Sequence, residues 1–166
     1  LDVFDAASGA FIHVRTHPKA LPPIRTLKVD SRHRIWIGTA EDGLFRMDEL
    51  PEQLPTGSPA AIQVEQYSAG QIIDTSVSAI AEDRLGRIWV GTAAGISRIE
   101  ADLSTITQYP PQKNANGIVS KARVQDIELD ANGTLWVATD REGLFVFQEN
   151  ENQFVAVGQQ QDRNRS

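Results

Sequence analysis

Short apolar stretches recur along the chain between polar turns, and their period is two rather than 3.6. Leu27 and Val29 alternate with polar neighbours, which predicts a strand with one buried face. Ile35-Trp36-Ile37 is apolar throughout, which predicts a strand buried on both faces. Further along, Leu44–Met47, Ile96–Ile99 and Leu144–Phe147 predict a third strand in each of three units. Ile62–Tyr67, Thr105–Tyr109 and Gln153–Val157 predict a fourth. No stretch has helical period. Asp48 to Gln53 has room for one turn, which Pro51 limits further.

The units are copies of one another. Trp36, Trp89 and Trp136 stand 53 and 47 residues apart. An aspartate lies six residues before each of them (Asp30, Asp83, Asp130), and an aliphatic lies nine before. A threonine follows three after, and then a glycine-aliphatic pair: Gly43-Leu44, Gly95-Ile96, Gly143-Leu144. Four strands in each unit of about fifty residues is the sequence signature of a β-propeller blade.

Turn chemistry explains much of the motif. The chain must reverse between the first two strands in about four residues. Aspartate caps such a turn through its side chain, and glycine at the fourth position accepts positive φ. Asp83 with Gly86 and Asp130 with Gly133 fit this pattern. In the first copy His33 takes the glycine position, and histidine is enriched among non-glycine residues in the left-handed region. Gly38 and Gly91 lie two residues past tryptophan, where a side chain would press on the neighbouring blade. Ala138 replaces glycine there in the third copy, so the position requires something small.

Leu1–Asp5 resembles a third strand and Ala10–Val14 a fourth, so the chain is expected to begin in mid-blade. The predicted fold is all-β: a partial β-propeller of about three and a half four-stranded antiparallel blades. The units run 1–16 (half blade), 17–68, 69–110 and 111–158, with a polar tail at 159–166. Closed propellers usually have four to eight blades, which implies that this is a piece of a larger protein.

Composition narrows the function classes. The 166 residues are 40% hydrophobic and include no cysteine, so disulfides and cysteine zinc sites are excluded. A net charge of −6 disfavours nucleic acid and anionic membranes as partners. The longest apolar runs are about four residues, too short for a transmembrane helix or a signal peptide.

Asp83-Arg84-Leu85-Gly86-Arg87-Ile88-Trp89-Val90-Gly91-Thr92-Ala93-Ala94-Gly95-Ile96 resembles the two-component regulator propeller repeat nearly throughout. The other copies depart at His33 and Ala138, and each carries one extra residue before Gly43 or Gly143. The resemblance covers about Ile24 to Val157. In that family the propellers form the periplasmic sensor region of bacterial membrane receptors. Most are hybrid histidine kinases, some are diguanylate cyclases, and many respond to sugars or glycans. The resemblance therefore implies a periplasmic or extracellular part of an inner-membrane receptor, with the output enzyme elsewhere in the parent. Its implied partners are an unidentified small molecule or glycan, the remaining blades of the parent propeller and a second receptor copy. No cofactor is expected.

Propeller topology sorts the loops. Those joining strand four to one and strand two to three share one end, where propeller ligands gather; the Asp-x-x-Gly turns share the other. The ligand-end loops are His17–Arg25, Ala40–Asp42, Gly70–Ser78, Ala93-Ala94, Gln112–Arg123 and Asp140–Glu142. Arg25, Lys121, Arg123 and Arg141 are candidate ligands for carboxylates or sulfates. Glu41, Asp42, Asp140 and Glu142 are candidates for sugar hydroxyls or a cation.

Other residues read as structural. The three tryptophans lie inside apolar strands, which favours core between blades over sugar stacking. Asp130-Ala131-Asn132-Gly133 lacks the further ligands and closing glutamate of a calcium loop. No metal site is expected, and His13 and His17 are expected to be solvated. There is neither a Gly-x-Ser-x-Gly elbow nor a phosphate loop, so the chain itself is not expected to be an enzyme. Two alternatives remain: a protein-interaction scaffold, and a metal-dependent propeller similar to streptogramin lyase, in which a histidine near the channel mouth would act. His33 falls at the wrong end for that role, and His17 stands alone on the right one.

Overall fold

A computed structural model of the chain describes residues 2–5, 9–13, 15–17, 20–48, 61–110 and 123–158. Among the described residues all regular elements are strands. The chain opens with β1 (Asp2–Asp5) and β2 (Ala10–His13), an antiparallel pair. Three four-stranded antiparallel sheets follow. The first blade is β4 (Ile24–Val29), β5 (Ile35–Thr39), β6 (Leu44–Met47) and β8 (Glu65–Tyr67). The second is β9 (Val77–Glu82), β10 (Ile88–Thr92), β11 (Gly95–Ile99) and β12 (Ile106–Tyr109). The third is β13 (Val124–Leu129), β14 (Leu135–Thr139), β15 (Leu144–Gln148) and β16 (Gln153–Ala156). The all-β fold and its blades follow the expectation from the repeat.

The expected fourth strand Ile62–Tyr67 breaks at Val64. Its outer part completes the first blade as β8. Its inner part, β7 (Ala61–Gln63), pairs in parallel with β3 (Arg15–His17). That cross-link ties the N-terminal region to the first blade. Residues 49–53, where a single turn had room to form, and the tail 159–166 lie outside the described residues.

Among the described residues two cores form between blades, and a third gathers Ile37, Phe45, Met47, Ile62 and Val64 of the first unit. Trp36, Leu44 and Tyr67 of the first blade pack against Ile80, Ile88, Val90 and Ile99 of the second. Trp89 and Ile96 of the second pack against Ile127, Val137, Phe145, Phe147 and Phe154 of the third. The Trp89 ring meets Phe147 edge-on at 4.6 Å and lies 5.7 Å from Tyr109. Trp36 and Trp89 are fully buried, the core role the sequence implied. Trp136, whose outward face has no blade over it among the described residues, is only partly buried.

The first strand of the first blade departs from the alternation argument. Leu27 and Val29 are 55% and 58% exposed. The equivalent of Leu27 in the second blade, Ile80, is buried because the first blade covers it. On the far side of the first blade, no four-stranded sheet lies over β4 among the described residues.

The small residue after tryptophan has the expected steric cause. A Cβ on Gly38 would lie 2.5 Å from Thr26 Cγ2 and 2.6 Å from Val77 Cγ1 of the second blade. A Cβ on Gly91 would collide with Val124 of the third. Ala138 has no described blade beyond it, which explains why a methyl fits there.

Candidate functional site

The loop end is assembled by a threonine hook in each blade. Thr39 Oγ1 donates to Gly43 O at 2.8 Å and accepts from the Asp42 amide at 3.1 Å. Thr92 Oγ1 donates to Gly95 O at 2.8 Å and accepts from the Ala94 amide at 3.2 Å. Thr139 Oγ1 donates to Gly143 O at 2.9 Å and accepts from the Glu142 amide at 3.2 Å. The repeat threonine thus fixes the backbone of the loop that carries Asp42 or Glu142.

A second device positions the entry to each blade. The pairing of the first strand with the second slips by one residue between Ile24 and Thr26, Val77 and Ala79, and Val124 and Asp126. Such bulges re-aim a side chain and increase local twist. The residues set aside are Arg25, Ser78 and Gln125. Arg25 Nη1 donates to Ser76 Oγ at 3.0 Å, reaching from the first blade to the second. Ser78 Oγ donates to Val124 O at 2.5 Å, reaching from the second to the third.

Among the described residues, backbone bonds join parts of the two groups of loops. The amides of Ala40 and Asp140 donate to Pro23 O and Arg123 O at 3.3 and 3.0 Å, joining each two-to-three loop to the entry of its own blade. In the third blade this collects Arg123, Asp140, Arg141 and Glu142. Arg141 Nε stands 3.8 Å from Asp140 Oδ2 with its side chain largely exposed. In the first blade it collects Arg25, exposed Glu41 and partly buried Asp42, whose carbonyl accepts from Gln66 Nε2 at 2.8 Å. Lys121 lies outside the described residues. The Gly43 amide donates to Thr75 O at 2.9 Å, so the second-blade segment closes over the first-blade loop. Among the described residues no group of three or more histidines, aspartates or glutamates stands where it would hold a metal.

At the opposite end each turn aspartate does more than cap its turn. Asp30 Oδ1 accepts the amides of Arg32 and Arg34, both at 2.9 Å. Its Oδ2 accepts Arg34 Nε at 2.6 Å and Trp36 Nε1 at 2.8 Å. Asp83 repeats this with Leu85, Arg87 and Trp89. Asp130 takes the amides of Asn132 and Thr134 and the Trp136 indole at 3.0 Å, and has no arginine. Burial works against ionisation of Asp30, but the bonds from Trp36 and Arg34 outweigh it and lower its pKa. The Trp136 indole does the same for Asp130. Gly86 and Gly133 have φ of 72° and 89°, and His33 has φ of 63°, the conformation the turn demands. His33 therefore lies at this end, away from the loop cluster.

These turns also rivet the blades together. Ser31 donates its amide and hydroxyl to Glu82 at 2.7 and 2.6 Å, and Arg32 Nη1 donates to Ala101 O at 3.0 Å. Arg84 donates to the carbonyls of Ala131 and Asn132. Arg87 gives Nη1 and Nη2 to the two oxygens of Glu149 at 2.6 and 2.7 Å. These arginines had no role assigned from the sequence. The signal for Arg87 was an arginine two residues before tryptophan in two of the three copies, Arg34 and Arg87.

Blades of four antiparallel strands, packed face to face through a tryptophan core, define a β-propeller repeat protein. The model of the two component regulator propeller family matches residues 71–94 and 118–141. A histidine kinase of Formosa agariphila is 32% identical over 83 residues, 48% of this chain and 6% of its own length. The extracellular domain of a hybrid two component system of B. thetaiotaomicron superposes with a TM-score of 0.67 at 19% identity, over 92% of this chain and 19% of its own. A catalytically inactive virginiamycin B lyase from Staphylococcus aureus, solved with quinupristin, gives 0.60 at 18% identity, over 83% of this chain and 42% of its own. The chain thus spans a small part of the kinase and of the extracellular domain it matches.

Proposed function

We propose that this chain is part of the extracytoplasmic sensing propeller of a bacterial membrane signalling receptor. The observation that carries this reading is the match of its repeats to the two component regulator propeller family, alongside a histidine kinase relative. The fold similarity to an extracellular domain of a hybrid two component system supports the extracytoplasmic placement. The ligand, a small molecule or glycan, binds at the loop end, where the bulge residue Arg25 and the Arg123, Asp140, Arg141 and Glu142 set offer charged groups. Binding shifts the receptor between two arrangements through differential affinity, and a separate output module reads the shift. The chain itself does not catalyse.

Calorimetry with a panel of glycans and small acids tests this. A ligand should bind, and replacing Arg25, Arg123 and Arg141 together by alanine should weaken it at least tenfold. Unchanged binding would refute the site. The likeness to the lyase supplies the second reading. Metal-dependent turnover of a lactone or ester substrate would establish that reading in place of the first.

A further inference from the structure

Arg34 and Arg87 hold the same repeat position, two residues before tryptophan. Their side chains are only 8% and 11% exposed, and each donates Nε to its turn aspartate at 2.6 Å. Beyond that bond they differ. Arg87 presents both terminal nitrogens to the Glu149 carboxylate across the seam between the second and third blades. Nη2 of Arg34 is fully buried and has no hydrogen-bond partner among the described residues.

The repeat register explains the difference. Glu149 stands six residues after Gly143, and the residue six after Gly95 is Ala101. The second-blade acceptors that meet the first-blade turn, Ala101 O and the Glu82 carboxylate, are engaged by other donors. Ala101 O takes Arg32 Nη1, and both Glu82 oxygens take Ser31. A guanidinium edge is a planar fork matched to the two oxygens of a carboxylate. The part of a glutamate side chain that alanine lacks is a CH2–COO⁻ group, the size of acetate.

We propose that the seam between the first and second blades binds a small free carboxylate at Arg34, in the place Glu149 fills at the next seam. This seat lies at the Asp-x-x-Gly end, away from the loop cluster, so it is separate from the sensing site. Asp30 already balances the formal charge of Arg34, so the seat selects planar two-oxygen geometry rather than negative charge alone.

Thermal unfolding of the whole chain in sodium acetate against sodium chloride at matched ionic strength tests the proposal. Acetate should raise Tm saturably and chloride should not. Ala101→Glu should raise Tm without acetate by roughly 2–4 °C, the shift a gain of about 1 kcal/mol gives a domain of this size. It should also abolish the acetate increment. Equal effects of acetate and chloride, or an increment that survives in Ala101→Glu, would overturn the proposal. NMR keeps the test independent of that variant's folding: the Arg34 terminal N–H signals should shift saturably as acetate is added to the unsubstituted chain. A titration without such a shift would also overturn it.

Discussion

Trp89 Nε1 donates a 2.7 Å hydrogen bond to Asp83 Oδ2, six residues earlier and across the turn between the first two strands of the blade. The bond joins the two most regular positions of the repeat. It also fixes the indole whose ring forms the core against the third blade. Asp83→Ala would strand buried donors on Arg87 and Trp89, at about 1–3 kcal/mol each. Urea unfolding should show a loss of roughly 2–6 kcal/mol. Asp130→Ala should lose less, because Thr134 replaces the arginine and Trp136 is only partly buried. Equal losses would mean that the clamp does not anchor the seam.

Gly91→Ala should destabilise by about 1–3 kcal/mol through overpacking against Val124. Ala138→Gly should change stability by no more than about 1 kcal/mol, the usual cost of glycine in a strand. Denaturation midpoints of the two variants, measured side by side, check the contrast.

Asp30 and Asp130 are held below the usual carboxylate pKa, and Arg87 does the same to Glu149. A depressed folded-state pKa stabilises the fold above the unfolded value, and that stability is lost as pH falls through the folded value. Unfolded carboxylates titrate near about pH 4. The urea midpoint should therefore be nearly flat from pH 7 to 5 and fall steadily below about pH 4. A midpoint unchanged down to pH 3 would contradict the assignment.

His33 holds a left-handed φ of 63°. A non-glycine residue pays about 1–2 kcal/mol in that region, and glycine pays none of it. His33→Gly should therefore raise the melting temperature, and His33→Val should lower it.

The blades were legible because their cause is local. Apolar positions two apart and an aspartate and glycine around a tight turn act within one repeat, and the small residue after tryptophan shows by recurring, although its cause is the neighbouring blade. Partners brought in by the third dimension were not legible. No pattern in Arg87 points to Glu149, 62 residues on, and nothing in Ala61–Gln63 announces a parallel pairing with Arg15–His17. Leu27 and Val29 carry a buried-strand pattern, yet what covers a blade's first strand is the preceding blade. The charged loop residues could be assigned to one end from connectivity alone. Their grouping needed the Asp140–Arg123 and Ala40–Pro23 backbone bonds.

Among the described residues, the bonds that join one blade's face to the next share a direction. Arg25, Ser31, Arg32 and Gly43 donate from the first blade to the second, and Ser78, Arg84 and Arg87 donate from the second to the third. Each blade therefore has a giving face and a receiving face, like a tongue and its groove. Two copies related by a two-fold axis through such a face would set donors against donors. Any association that reuses these faces must run head to tail, with the order of the blades preserved across the join.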